Sequence, residues 1–265
     1  MAGTQRDESD GWMGTFKGGR VDPPTGVHDV TGWDEYWKSR LLEGGAEREL
    51  ADQRASDPAL PALLGRRGAR TILCVGNGNS EEAAALALHG FDVTVLDLSP
   101  VLATYVRLSL AERGHPLRRV PGFRLGEDGV VHFDAPGPID PALCPPIHAS
   151  EEFEPRGGGS LSFATGDLSG LAVCTGPYDA IIERRTLQHF RDNDLVAGLE
   201  KLTQRLAERG TFVSQEHRAG EGPDFVNPHF AEEWLLAHGF ARYDGRRPEA
   251  HDTAPRLAYL MNTFG

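Results

Sequence analysis

The chain has 265 residues and a formal net charge of −12, from 27 Lys and Arg against 39 Asp and Glu, a balance that repels a phosphate backbone at long range and disfavours nucleic acid as a partner. Its length suits one enlarged domain with a sizeable core, and no apolar run approaches the roughly 20 residues of a membrane span. Three cysteines, Cys74, Cys144 and Cys174, leave one over in any disulfide scheme, so a reducing, cytoplasmic setting is the simpler expectation, in keeping with an N-terminus, MAGTQRDESDG, that has no signal-peptide core.

Residues 1–31 are rich in Gly, Asp and Pro, with Trp12, Phe16 and, just beyond them, Trp33 as candidate aromatic anchors. They are expected to form a flexible segment or lid ahead of a domain spanning 32–265. WDEYWKSRLL, residues 33–42, looks helical, and residues 46–64 supply another helix broken near Pro58 and Pro61. Thr71–Val75, TILCV, is the short apolar run of a strand buried on both faces of a parallel sheet. Gly76 and Gly78 follow at once, and their freedom at positive φ lets the chain turn sharply where a Cβ would obstruct a ligand. Asn79 or Ser80 can cap a helix that carries Glu81 and Glu82 in its first turn, runs through residues 83–88 and ends at Gly90. Residues 91–96 form a second strand that ends at Asp97. A carboxylate at that tip, about 20 residues after a glycine turn, is placed to accept hydrogen bonds from the two hydroxyls of a ribose.

Residues 101–113 read as a further helix. Residues 115–160 then interrupt the passage to a third strand, and a connection of that length is usually functional or disordered. Within it FRLGEDGVVHF, residues 123–133, reads as a β-hairpin with its turn near residues 127–129, and the insertion is placed near an acceptor pocket or at a subunit contact. It also contains His132, Cys144 and His148. Without a C-x-x-C pair or a fourth ligand, ordinary surface histidines and a buried cysteine are preferred and no metal is expected. Residues 161–164 are the third strand, leading to Gly166, Asp167 and Leu168. YDAII, residues 178–182, is the fourth, followed by a loop through Glu183, Arg184, Arg185 and Thr186 to His189, which should face the reacting group. Residues 192–209 make an amphipathic helix with Leu195, Leu199, Leu202 and Leu206 on one stripe, stopped by Gly210. A fifth strand at 211–214, a helix at 231–238 and strands near 240–243 and 257–262 complete the chain.

At the glycine turn and the second strand the chain resembles the class I S-adenosylmethionine-dependent methyltransferases. Their first motif looks like V-G-x-G-x-[GS] and their second strand ends in D-[LV]-S. The matching residues are Val75, Gly76, Asn77, Gly78, Asn79 and Ser80, then Asp97, Leu98 and Ser99, with Ser80 where the family usually has its third glycine. The likeness covers roughly residues 69–114 and 160–265. It implies a Rossmann-like three-layer αβα sandwich with a mostly parallel seven-stranded sheet and a terminal antiparallel strand, and S-adenosyl-L-methionine as cofactor. By the same resemblance Gly76, Asn77 and Gly78 line the methionine moiety, Asp97 holds the ribose, and Leu98 packs on the adenine. Asp167 with Leu168 meets the adenine amino group, Glu183 takes the methionine amine or the acceptor, and an aromatic N-terminal segment such as WDEYW covers the site.

For methyl transfer the sulfonium carbon is already electrophilic, so the enzyme aligns and desolvates the acceptor and supplies a base when that acceptor is an O–H or a protonated amine. His189 is the leading base, with a pKa near working pH, and Glu183 is the second catalytic candidate. Arg184 or Arg185 could anchor an acceptor carboxylate or phosphate, and His217 is a reserve base in the acceptor pocket. The expected function is methylation of an O or N atom of a small molecule. A protein side chain is the alternative acceptor, because an acidic surface suits basic peptides. A non-catalytic cofactor-binding or scaffold protein is the alternative of a different class. An NAD-linked oxidoreductase is disfavoured, since Glu81 stands at the third glycine of G-x-G-x-x-G and would repel a pyrophosphate.

Overall fold

The computed structural model describes residues 30–43, 56–78, 80–99, 123–125, 131–133, 159–166, 168, 174–184, 186–190, 192–215, 230–243 and 256–260. In chain order they form helices α1 (Val30–Glu43) and α2 (Leu60–Arg66), strand β1 (Thr71–Val75), helix α3 (Glu82–Leu88), and strands β2 (Asp92–Asp97), β3 (Phe123–Leu125), β4 (Val131–Phe133), β5 (Ser160–Thr165) and β6 (Tyr178–Arg184). A 3-10 turn (Leu187–His189) leads to α4 (Asp192–Gln204), β7 (Leu206–Gln215), α5 (Phe230–Ala237), β8 (Ala241–Tyr243) and β9 (Leu257–Leu260). No helix among the described residues is long and apolar enough to cross a membrane. The stretch 101–113 read as a helix lies outside the described residues, as do residues 1–29 and most of the insertion.

The strands make one nine-stranded sheet in the order β3-β4-β5-β2-β1-β6-β7-β9-β8. Strand β1 lies between β2 and β6 and is parallel to both, in registers Val75↔Leu96 and Val75↔Glu183. From β1 the chain steps one way through β2 to β5, then returns to β6 and steps the other way. The order therefore reverses between β1 and β6, where doubly wound sheets place their ligand crevice. Alternation along the strands divides the apolar residues between two faces. Ile72, Cys74, Val93, Val95, Phe163 and Ile182 share one core with α2 and α3, while Leu73, Val75, Leu96, Ile181 and Phe212 share the other with α4 and α5. This is the three-layer αβα arrangement. Pro61 sits in the first turn of α2, where a missing N–H costs nothing, so it starts that helix rather than breaking it.

Three expectations are corrected. Among the described residues no terminal antiparallel strand forms: β9 runs parallel to β7 (Thr211↔Leu257) and β8 runs parallel to β9 (Ala241↔Leu257). A tight hairpin would have produced the antiparallel pair, but residues 244–256 give the dozen or more that a parallel return needs. The antiparallel pairs sit at the opposite edge, where the hairpin β3-β4 (Phe123↔Phe133) joins β5 through Val131↔Thr165. Helix α4 ends at Gln204 instead of running to 209, because Leu206 enters the sheet opposite Tyr178 and Gly210 lies inside β7. Finally, β6 does not stop at Ile182 but carries Glu183 and Arg184 in the sheet, paired with Ser214 and Gln215 of β7.

Phe212 is fully buried on the α4 and α5 face. Truncation by Phe212→Ala should lower stability by about 3–5 kcal/mol, the usual cost of removing a buried aromatic ring, read from the denaturant midpoint at unchanged slope.

Candidate cofactor and active site

The site is built where β1, β2 and β6 end. Gly76 N–H donates to Leu96 O at 2.8 Å, carrying the β1-β2 ladder one residue beyond β1. The chain then turns through Gly76 at φ 59° and Gly78 at φ 50°, values that side-chain-bearing residues rarely adopt. Ser80 N–H donates to Asn77 O at 2.9 Å, and the buried Asn77 side chain donates from Nδ2 to Ser80 O at 3.0 Å, so the turn is closed twice. Helix α3 has no cap from its own N-cap residue, Glu81, and Ser80 Oγ accepts from Glu82 N–H at 3.1 Å instead.

The space beside the two glycines is taken by the protein's own side chains rather than left open. A Cβ on Gly76 would fall on Thr186 Oγ1, and one on Gly78 would lie 2.8 Å from Trp37 Cζ2. Thr186 Oγ1 donates to Val75 O (3.2 Å) or Gly76 O (3.4 Å), which locks the loop after β6 onto the turn after β1.

Asp97 is buried at the tip of β2. Its Oδ2 accepts from Gly78 N–H at 2.9 Å and its Oδ1 from Ser99 N–H at 3.0 Å. Burial pushes its pKa above the ordinary carboxylate value, against the pull of the backbone N–H groups of Gly78, Ser99 and Leu98, and the nearby Asp34 adds to the rise. A carboxylate has about four acceptor positions, so beyond these backbone donors Asp97 keeps acceptor capacity for a ribose hydroxyl. Gly166 N–H donates to Asp97 O at 2.9 Å, bringing the turn after β5 to the same point. Leu98 is half-buried beside Asp97, whereas Leu168 is buried in the core on the α4 face. Asp167 lies outside the described residues.

Consecutive residues of β6 point to opposite faces, and both of its terminal charges are buried. Glu183 Oε2 accepts from the N–H groups of Thr186 (3.0 Å) and Leu187 (3.1 Å), and Oε1 accepts from Ser214 Oγ at 2.6 Å. Its carboxylate therefore shapes the loop that holds Thr186. Arg184 Nη1 donates to Ser80 Oγ and lies 3.6 Å from Glu82 Oε2, with both charges almost completely excluded from solvent. Burial lowers the Arg184 pKa, opposed chiefly by Glu82. Arg184 thus lies behind the glycine turn instead of projecting toward an acceptor. Arg185 and His217 lie outside the described residues.

His189, on the 3-10 turn, is half-buried, with its ring edge-on to Trp33 at 5.0 Å between centroids. Helix α1 reaches all three site turns, through Trp33 to His189, Trp37 to Gly78, and Asp34 Oδ1, which accepts from Ser99 Oγ at 2.8 Å. Trp33 was singled out from the sequence as an aromatic anchor, whereas Asp34, Trp37 and Thr186 were given no role of their own, although the W-D-x-x-W spacing in a helix was the visible signal. Cys74 and Cys174 are free and buried, and burial raises both thiols, Cys174 to about 11. Neither is a thiolate nucleophile at neutral pH. Among the described residues no group of three or more His, Cys, Asp or Glu could hold a metal ion, and Cys144 and His148 lie outside them.

No protein-family model matches the chain, and no curated protein matches it. Among solved structures it is similar to a TehB-like S-adenosylmethionine-dependent methyltransferase from Corynebacterium glutamicum, at 18% identity and a TM-score of 0.44, covering 75% of this chain and 82% of that one. It is also similar to magnesium protoporphyrin IX methyltransferase from Synechocystis with bound S-adenosylhomocysteine, at 15% identity and a TM-score of 0.41, covering 88% and 84%. A structure from work on the conversion of a disulfide bond into a thioacetal group during echinomycin biosynthesis has 21% identity and a TM-score of 0.36. That match covers 59% of this chain and 48% of the other, so the chain spans about half its length.

The packing of Thr186 against Gly76 makes a two-residue prediction. Gly76→Ala should cost roughly 1–2 kcal/mol for the left-handed backbone alone, with the collision on Thr186 added. Thr186→Ala in the same chain removes the Oγ1 and Cγ2 contacts but keeps Cβ, 2.7 Å from the added methyl, so it should recover part of the collision and none of the backbone part, as read from denaturant midpoints of the two single variants and the double. Equal midpoints for Gly76→Ala and wild type would contradict the packing.

Proposed function

We propose that the chain is an S-adenosylmethionine-dependent methyltransferase acting on an O or N atom of a small molecule. The observation that carries this reading is the buried Asp97 carboxylate at the tip of β2, oriented by backbone N–H groups of the glycine turn and of Ser99. The residues fit a cofactor that has a ribose and no phosphate. Asp97 keeps acceptor capacity for a ribose hydroxyl beyond its backbone donors, while Asp34 close to Asp97 and Glu81 at the start of α3 set negative charge where a pyrophosphate would have to sit.

Bound there, the cofactor supplies a methyl group on a sulfonium, already electrophilic. In this reading Asp97 would accept from the ribose, the Gly76-Asn77-Gly78 turn would line the methionine part, and Leu98 with Asp167 would flank the adenine, Leu168 serving as core beneath them. Glu183 acts on the site by holding Thr186 and the turn behind it. His189, on the 3-10 turn after β6, would take the proton from an O–H or protonated amine acceptor as general base. Trp33 and Trp37 exclude water from above, which strengthens the electrostatics beneath them. Arg185 and His217 remain candidates for acceptor contacts. A protein side chain as acceptor is the second reading.

Calorimetric titration with S-adenosylmethionine, S-adenosylhomocysteine and NAD tests the proposal. The two sulfur compounds should bind and NAD should not, and Asp97→Ala should abolish the binding. His189→Ala should keep cofactor affinity and lose methyl transfer; undiminished turnover would remove His189 from the mechanism.

The raised Asp97 pKa gives a pH signature. The ribose donates to the ionised carboxylate, so S-adenosylhomocysteine affinity should fall, as pH is lowered, at a higher pH than an ordinary carboxylate would set. That fall should be missing in Asp97→Asn. For folding the sign is opposite: the native state holds this proton more tightly than the unfolded chain, so the Asp97 contribution to stability is fully present below its ordinary pKa and is lost as pH rises through the raised value.

A further inference from the structure

The residue at position 80 departs from the usual third glycine, and the structure gives it a partner that a glycine could not have. Ser80 Oγ accepts both from Glu82 N–H at the start of α3 and from Arg184 Nη1. Arg184 reaches it from the end of β6, the strand on the far side of the switch point, whose register places Glu183 opposite Val75. Arg184 is therefore level with the first glycine of the turn and passes behind it on the α3 face. Its charge is met by Glu82, fully buried, whose Oε2 also accepts from Asp57 N–H at 2.9 Å. Ser80 in turn is tied to Asn77 by two hydrogen bonds, and the next residue along, Gly78, orients Asp97. A continuous chain of polar contacts thus runs from Arg184 through Ser80 and the turn to the Asp97 carboxylate.

We infer that Arg184 and Ser80 form a positioning pair for the cofactor turn, with Arg184 acting on ligand affinity through Ser80 and not by touching the acceptor. The pair presets the turn in the shape that presents Gly78 N–H to Asp97, so ligand binding does not have to order it. This inference rests on the reading of the turn and Asp97 as the S-adenosylmethionine site. It also accounts for the serine: the hydroxyl gives the arginine a hydrogen-bonding partner at the turn itself, in addition to the carboxylate of Glu82.

The test is a double-mutant cycle on S-adenosylhomocysteine affinity by calorimetry with the full chain, using Ser80→Ala, Arg184→Met and the double variant. Thr203→Ala serves as a control, a buried hydroxyl on α4 that donates to Leu199 O. Each single change at the pair should weaken binding about tenfold, the range expected for losing a charge-assisted hydrogen bond. The double variant should be little worse than Arg184→Met, and the control should leave affinity unchanged even where its melting temperature falls as far. Should Arg184→Met fail to fold, Ser80→Gly carries the test, and it should weaken binding although it restores the usual glycine.

Additive losses, or losses that track melting temperature across the control, would overturn the pair. Full affinity in both single variants, with turnover lost only in Arg184→Met, would instead assign Arg184 to the acceptor. Absence of binding by the wild-type chain would overturn the cofactor reading itself, which is a different result from wild-type binding that the variants share.

Discussion

The hydrogen bond from Gly78 N–H to Asp97 Oδ2 joins the turn after β1 to the tip of β2, and the site is arranged around it. A carboxylate removed from water needs donors to remain tolerable, and here both oxygens accept from backbone N–H groups. The donor on Gly78 depends on a positive φ, and the conformation it adopts leaves a face that Trp37 covers. One bond therefore couples the backbone shape of the turn, the charge state of Asp97 and the seating of α1.

The end of β6 supports that arrangement from both sides of the sheet. Glu183 and Arg184 are neighbours in sequence, yet strand alternation sends one toward α4 and the other toward α3. The glutamate organises the loop carrying Thr186, whose hydroxyl reaches the carbonyls of Val75 and Gly76, and the arginine reaches Ser80 at the other end of the same turn. Burying two charges is costly unless each is met by partners. Each has them, and in both cases the partners lie in segments that shape the crevice.

Helix α1 adds a third layer of constraint. Its contacts fall on the turns that follow β1, β2 and β6, and its aromatic rings meet edge to face, Trp33 with Tyr36 at 5.7 Å and Tyr36 with Trp37 at 5.0 Å. A hydrogen bond from Ser99 to Asp34 sets the helix beside Asp97. The place where the sheet order reverses thus brings together the glycine turn, the indoles of Trp33 and Trp37, the carboxylates of Asp34 and Asp97 and the His189 imidazole.

Much of this was legible in the chain because it is local. An apolar run, two glycines, an alanine-rich helix and a second run ending in Asp97 lie within thirty residues of one another, and propensity and periodicity act over that range. The hairpin at residues 123–133 and the helix around WDEYW are legible for the same reason. What the sequence by itself determined is the order of the described strands from β1 to β7, the glycine turn and the carboxylate that faces it. The tertiary structure alone decided three matters. It set the direction of β8 and β9, which depends on how a long connection returns. It buried Glu183 and Arg184, because pairing with β1 and β7 extends β6 by two residues beyond its apolar run. It placed Thr186 and Trp37 in the space beside the glycines, since they come from segments distant in sequence. In each case the deciding interaction joins residues far apart in the chain, and no local pattern specifies which distant strand or helix will supply the partner.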